Sequence, residues 1–313
     1  MTHALNLVFC GTPLFAVPAL EMLVEAGFPV RLVITQPDRP KGRGLELQPS
    51  PVKTAAEELA LPVFQPEKIK TNEELRSRLA AISPAAIVVV GYGRMVPPWM
   101  LHLPTYGNIN LHASLLPKYR GAAPIQWAIA SGEKFTGVTT MRLDEGLDTG
   151  DVLLQREATI ADDDTSETLA RRLARMGADL LIETLAGLQA GSINPRPQNQ
   201  QEASLAPLLK RQDGDIDFRR SAREIYNRLR AFQPWPGAFT RFRGKTLNIM
   251  AARPARAEIE QARLLINGTQ LFVGCGDQTA LELVAVQPEG KKAIGAADFI
   301  RGYRPQTGER IGS

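Results

Sequence analysis

Apolar runs and amphipathic stretches alternate through the first half of the chain. Leu5-Asn6-Leu7-Val8-Phe9 reads as a buried strand, and after Gly11 the residues Leu20, Leu23 and Val24 recur on one helical face. Val30–Thr35 reads as a second strand. Ser50-Pro51 puts a favoured N-cap before a proline at N1, which predicts a helix through Leu59. Thr71 with Glu74 has capping-box spacing and predicts a helix through Leu79. Ala86-Ile87-Val88-Val89-Val90 is continuously apolar, as a strand covered on both sheet faces should be. A long helix is expected from about Ser166 to Leu188. Repeated β-α-β order predicts an α/β fold with a mostly parallel, doubly wound sheet.

The pattern lapses at Asn194-Pro195-Arg196-Pro197-Gln198-Asn199-Gln200-Gln201, which reads as a linker. The expected division is residues 1–189, a linker at 190–206, and a second domain at 207–313. Beyond the linker, Ser221 and Glu224 form another capping box for a helix toward Phe232. Short strands are expected at Ala238–Phe242, Thr246–Ala251, Arg263–Ile266, Leu271–Cys275 and Leu281–Val286. Their glycine-rich separations suggest a small barrel.

Length and composition fit this division: 313 residues, 44% hydrophobic and 22% charged, are ordinary for a two-domain globular chain. Charge sharpens it. Residues 1–206 hold 19 Lys/Arg against 22 Asp/Glu, whereas residues 207–313 hold 18 against 11. A basic second domain suggests a polyanionic partner, although a merely solvated basic surface gives the same count. Cys10 and Cys275 fit no metal-ligand spacing, and no metal is expected. Two isolated cysteines favour a reducing cytosol. The first residues lack a secretory pattern, and no apolar run approaches a membrane span. A cytoplasmic monomer without a membrane partner is the expectation.

The chemistry concentrates in residues 108–121. Asn110 and His112 are two apart in a β-like run, so their side chains share one face while Ile109 and Leu111 take the other. Further on, Asp144-Glu145-Gly146-Leu147-Asp148-Thr149-Gly150 offers a carboxylate in a glycine-punctuated loop. Each residue alone has an ordinary alternative: His112 as a strand-end structural group, Asp148 as a turn cap. The run as a whole carries the signal.

Asn110-x-His112 with Ser114-Leu115-Leu116-Pro117-x-Tyr119-Arg120-Gly121 resembles the signature of the folate-dependent formyltransferases. Leu147-Asp148-Thr149-Gly150-Asp151 is similar to that family's second catalytic segment. Gly11-Thr12-Pro13, Gln36–Gly44 and the run Arg230-Ala231-Phe232-x-Pro234-Trp235-Pro236-Gly237-Ala238 resemble the branch that acts on methionyl-tRNA. The resemblance implies a Rossmann-like catalytic domain and an OB-like β-barrel domain, a scaffold often used for oligonucleotides. It implies transfer of a formyl group from 10-formyltetrahydrofolate to the amino group of methionyl-initiator tRNA. Asn110, His112 and Asp148 would be catalytic, and Ser114, Leu115, Leu116 and Pro117 would contact folate. Arg94, Met95 and Val96, after the Ala86–Val90 strand, would line the same crevice. In the long loop Pro37–Pro49, the cations Arg39, Lys41 and Arg43 suit contact with the acceptor end of tRNA. A solvated surface loop has the same composition. Arg120 suits either an anionic substrate group or a structural tie.

Acyl transfer to an amine explains why these residue types are needed. Asn110 and protonated His112 can donate to an oxygen gaining charge, while Asp148 can orient His112 and relay protons. Three other classes compete. A nicotinamide dehydrogenase would share the architecture, but Gly11-Thr12-Pro13-Leu14-Phe15-Ala16 lacks G-x-G-x-x-G. A non-catalytic tRNA-binding module would leave Asn110, His112 and Asp148 without purpose. A formyltransferase for amino-sugar nucleotides would not need the Arg39–Arg43 loop or the basic second domain.

Overall fold

The computed structural model describes residues 5–41 and 46–312. The chain divides into two compact units. The first holds the chain up to Pro124 together with Phe135–Thr159 and Leu169–Pro207; the second holds Ile125–Lys134, Ile160–Thr168 and everything from Leu208.

The first unit is built on a seven-stranded sheet. Its strands are β1 (Leu7–Gly11), β2 (Val30–Ile34), β5 (Val63–Phe64), β6 (Ala86–Val90), β7 (Asn108–His112), β8 (Phe135–Arg142) and β9 (Val152–Thr159), in the order β5-β2-β1-β6-β7-β8-β9. The five from β5 to β7 run parallel, as the alternating pattern predicts. The edge differs, because β8 and β9 are antiparallel additions. The helices are α1 (Val17–Glu25), α2 (Pro51–Glu58), α3 (Glu73–Ile82), α4 (Pro98–Leu101) and, from Leu169 on, the long α6 (Ser166–Gln189). On one sheet face Val8, Cys10, Leu32, Ile34, Ile87 and Val89 pack with Leu75, Leu79 and Met100. On the other, a Cβ at Gly177 of α6 would lie 2.7 Å from the Leu111 side chain, so only a glycine lets α6 sit this close to β7. Ser50 caps α2 by accepting from the Lys53 amide, as the sequence predicts. The α3 cap is Asn72 rather than Thr71: its side chain accepts from Leu75 and shifts the helix start by one residue.

The Pro37–Pro49 loop contains a two-stranded antiparallel ribbon, β3 (Arg39–Lys41) with β4 (Glu46–Gln48). Asp38 at its base accepts from Lys53 Nζ at 2.6 Å and Gln65 Nε2 at 2.7 Å. Gln36 donates to the Tyr92 carbonyl, and the Thr35 and Ser50 hydroxyls meet at 2.7 Å. Polar groups therefore hold the ribbon where apolar burial cannot.

The segment read as a linker is part of the first unit. Arg196 and Val152 exchange two backbone hydrogen bonds, Ser204 and Ala206 bond to Arg120 on either side. Its polar composition hides these ties because they are mostly backbone and amide contacts.

In the second unit α7 (Ala222–Phe232) opens on the Ser221–Glu224 capping box and buries Ile225, Leu229 and Phe232. Burial of such side chains contributes about 1.5–3 kcal/mol each. Ile225 and Leu229 join a core with Leu247, Ile249, Leu271, Val273, Leu281 and Leu283. The sheet is antiparallel, in the order β10-β11-β14-β13-β12, from β10 (Phe239–Phe242), β11 (Lys245–Ala255), β12 (Leu264–Asn267), β13 (Gln270–Gly274) and β14 (Ala280–Pro288). These match the five expected strands within a few residues at each end. A short β15 (Ile294–Gly295) and a closing α8 (Ala296–Tyr303) were not signalled by the pattern. The remaining helix is α5 (Pro124–Ala130), most of which belongs to this unit. Trp127 meets the Phe232 ring edge-on at 5.6 Å, and Arg230 donates to the carbonyls of Ala161 and Asp164. The unit is therefore discontinuous along the chain. Among the described residues no helix is long and apolar enough to cross a membrane.

Candidate active site

Strand β7 aligns Asn108, Asn110 and His112 on one face by its two-residue period. Its C-terminal end lies beside that of β6, where loops of a parallel sheet form a crevice. Asn108 is spent on structure, donating to the carbonyls of Met100 and Leu101. Asn110 is 8% exposed, yet its amide makes no hydrogen bond among the described residues. It is a donor held open.

His112 is buried with both ring nitrogens toward protein oxygens. Nε2 lies 2.9 Å from the Tyr119 carbonyl, which can only accept, so Nε2 carries a proton. Nδ1 lies 3.7 Å from Asp148 Oδ2. That separation is loose, as catalytic pairs often are without substrate. Asp148 Oδ2 also accepts from the Gly121 amide at 2.8 Å, while its other oxygen has no hydrogen bond among the described residues. Two signature runs more than a strand apart in sequence thus meet at one carboxylate.

The Asp148 turn is conformationally demanding. Asp148 has φ +52°, a left-handed conformation unfavourable for most side chains. At Gly150 a Cβ would fall 1.8 Å from the Arg142 carbonyl, so glycine is obligatory there. Such strain persists where the surroundings over-determine it.

The Ser114–Pro117 loop is locked from beneath. Thr139 Oγ1 on β8 donates to the Ser114 carbonyl at 2.6 Å and accepts from the Leu116 amide at 3.2 Å and Gln155 Nε2 at 3.0 Å. Gln155 also donates to the Leu116 carbonyl. The Ser114 hydroxyl closes the turn onto the Lys118 carbonyl. Leu116 packs with Met141 and Val152, leaving Leu115 and Pro117 as the half-buried members.

Arg94, Met95 and Val96 follow β6. Arg94 donates to the Pro66 and Glu67 carbonyls, Met95 is 63% exposed, and Val96 packs on the first-unit core. Arg39 is exposed on the ribbon, and the Lys41 backbone pairs with Glu46. Arg43 lies outside the described residues. Arg120 is buried and tied to Gln198 and Gln200, which resolves its two readings toward structure. Among the described residues no cluster of three or more His, Cys, Asp or Glu could hold a metal.

Both cysteines are buried, and burial raises both thiols: Cys275 to about 12, and Cys10 higher still. Neither is a nucleophile at neutral pH. Burial, with Cys10 beside it, also raises the Tyr92 phenol.

Sequence reasoning missed Thr139, Gln155, Gln198 and the Tyr119 carbonyl. None left a signal of its own: Thr139 stands beside a second threonine, Thr140, in a run that also holds Thr136.

Residues 5–185 match the formyl transferase family, and residues 208–304 match the formyl transferase C-terminal domain. A methionyl-tRNA formyltransferase of Koribacter versatilis is 65% identical, covering 98% of both chains. That of Acidobacterium capsulatum is 56% identical over 99% of this chain and 100% of its own. Among solved structures, an N-formyltransferase from Helicobacter canadensis in complex with folinic acid and dTDP-3-aminofucose superposes with a TM-score of 0.67 at 20% identity. That match covers 91% of this chain and 99% of the other, and at such identity it speaks for the fold alone.

Proposed function

The chain belongs to the formyl transferase family, and from that premise we propose that it formylates the amino group of methionyl-initiator tRNA, with 10-formyltetrahydrofolate as donor. The observation that carries the reaction is the open Asn110 amide on the same strand face as the His112–Asp148 pair. The acceptor rests on relatives 65% and 56% identical along nearly their whole length, both methionyl-tRNA formyltransferases.

The roles follow from which atoms are engaged. Asn110 Nδ2 donates to the formyl oxygen as it gains charge under attack by the amine. The unbonded oxygen of Asp148 accepts the amine proton. His112, held at Nε2 by the Tyr119 carbonyl, faces the same carboxylate through Nδ1 and passes that proton on to the leaving nitrogen, so carboxylate and imidazole end as they began. Leu115 and Pro117, with Met95 and Val96 at the neighbouring strand end, offer a partly apolar wall for a flat heterocycle. The donor supplies the activated one-carbon group, and direct attack by the amine needs no covalent enzyme adduct.

The second unit is read as an OB-like domain that carries tRNA, a reading supported by its antiparallel order β10-β11-β14-β13-β12. Arg241 and Lys245 on the β10–β11 hairpin and Lys291 and Lys292 beyond β14 are exposed. None of the four has an ion pair among the described residues. The pairing Leu247–Pro288 and the Glu289 amide bonded to Thr246 bring both turns to one end of the sheet. A cluster of four cations suits phosphate contacts that fix orientation without reading sequence. Arg39 and Lys41 on the ribbon, with Arg43 of the same loop sequence, would position the acceptor end. Such a protein works in the cytosol, as a monomer.

The test is formyl transfer to initiator Met-tRNA against transfer to a nucleotide-linked amino sugar, at matched donor concentration. Preference for Met-tRNA is expected. Transfer to the amino sugar alone would replace this acceptor, and no transfer to either would remove the reading.

A further inference from the structure

We propose that Gln198 is a positioning residue for formyl transfer, acting through the Asp148 turn; the inference rests on the function proposed above. Gln198 is 9% exposed and uses all the hydrogen-bonding capacity of its amide. Its Oε1 accepts from Arg120 Nε at 3.0 Å and Nη2 at 2.7 Å. Its Nε2 donates to the Asp148 carbonyl at 2.9 Å and the Gly150 carbonyl at 2.7 Å.

Those four bonds join the two segments that converge on Asp148. On one side is Arg120, whose neighbour Gly121 donates to Asp148 Oδ2. On the other is the backbone of Asp148 itself, held at φ +52°. The Gly150 side of the turn is closed by the Arg142 carbonyl. Gln198 therefore fixes how far the Gly121 amide stands from the carboxylate it grips, and so where that carboxylate stands relative to His112 Nδ1.

The chain around Gln198 is anchored independently. Arg196 pairs with Val152, and Ser204 and Ala206 flank Arg120. Replacing the Gln198 side chain alone leaves those backbone ties in place. Gln200 supplies a control: it accepts from Arg120 Nη1 but makes no bond to the Asp148 turn. A purely structural strap would use both glutamines alike, whereas a positioning role singles out Gln198.

The experiment compares full-length Gln198→Met, Gln198→Glu and Gln200→Met with the parent. Met keeps the buried length and removes every bond. Glu keeps an acceptor for Arg120 but cannot donate to the two carbonyls, so it preserves folding if Met does not. Both Gln198 variants should lose on the order of 10-fold or more in kcat, since small misplacements of reacting groups cost up to about 10²-fold. Their KM values for donor and Met-tRNA should stay within about 2-fold, and Gln200→Met should turn over like the parent. The His112 ring ¹⁵N resonances should move in both Gln198 variants and not in Gln200→Met. Parental kcat in a folded Gln198 variant overturns the proposal, as does an equal loss in Gln200→Met. If the parent itself formylates no amine, the proposed function has failed, and the His112 resonances alone decide whether Gln198 holds the turn.

Discussion

Thr139→Val is a nearly isosteric change that isolates the hydroxyl under the Ser114–Pro117 loop. Thr139 is fully buried, so no solvent replaces what the hydroxyl does. It is the partner the structure gives to the Ser114 carbonyl and to the Leu116 amide, and valine would leave both without one. Gln155 keeps its bond to the Leu116 carbonyl. Each orphaned buried main-chain group costs about 1–3 kcal/mol, so the pair costs about 2–6 kcal/mol. That is a large share of a total stability of roughly 5–15 kcal/mol. Thr136, on the same strand, is the matched control. Its buried hydroxyl has no partner among the described residues, so Thr136→Val should be neutral or stabilising. Urea unfolding should show a lowered midpoint at unchanged slope for Thr139→Val only. Donor KM should rise in the same variant, because the loop proposed to contact folate loses its floor. If Thr139→Val cost less than about 1 kcal/mol and left donor KM at the parental value, the argument from orphaned groups would be refuted.

Asn110→Ala and Asp148→Asn should each lower kcat on the order of 10²-fold, the second without disturbing the turn, because Asn tolerates left-handed φ; near-parental turnover of folded protein excludes the role. Neutralising Arg241, Lys245, Lys291 and Lys292 together should raise KM for Met-tRNA and flatten its salt dependence, by about 0.7–0.9 in log–log slope for each phosphate no longer neutralised; an unchanged slope removes these residues from the tRNA surface. Gly150→Ala forces a Cβ onto the Arg142 carbonyl and should destabilise by more than about 4 kcal/mol, read as a loss of soluble expression or a collapsed melting temperature. Hydrogen bonds from Lys53 and then Gln65 lower the Asp38 carboxyl below its usual range. A lowered folded value means its stabilisation is complete above the unfolded value and is lost as pH falls through the folded one. Asp38→Asn should therefore flatten the fall in melting temperature between about pH 5 and 3, and an unchanged acid limb would dismiss the ribbon-base pair as a contributor.

What the sequence disclosed was whatever periodicity or capping chemistry encodes locally. Strand β7, helix α6 and the caps at Ser50 and Ser221 stand where the pattern put them, give or take a residue. The antiparallel turn of β8 and β9 was hidden, since strand direction depends on connection geometry rather than on side-chain alternation. Asn110, His112 and Asp148 were legible through a long run of residue types whose joint occurrence an ordinary core does not need. Gln198 was not. Its partners are backbone carbonyls and a distant arginine, so nothing in the run Pro195–Gln201 distinguishes a saturated buried amide from a solvated one.

The second unit draws on residues 125–134 and 160–168 as well as on the C-terminal stretch. Synthesis therefore finishes its pieces at different times. Arg230 reaches the Asp164 carbonyl across 66 residues of chain. At about 5–20 residues per second a ribosome takes roughly 3–13 s to cover that gap. During that interval the α5 segment with Trp127 and the Ala161–Asp164 turn are made, while Arg230 and Phe232 are not. A fragment ending at Pro207 makes that absence permanent. The division of labour between the two units is therefore not a division of the gene: neither half, expressed alone, contains a finished second unit.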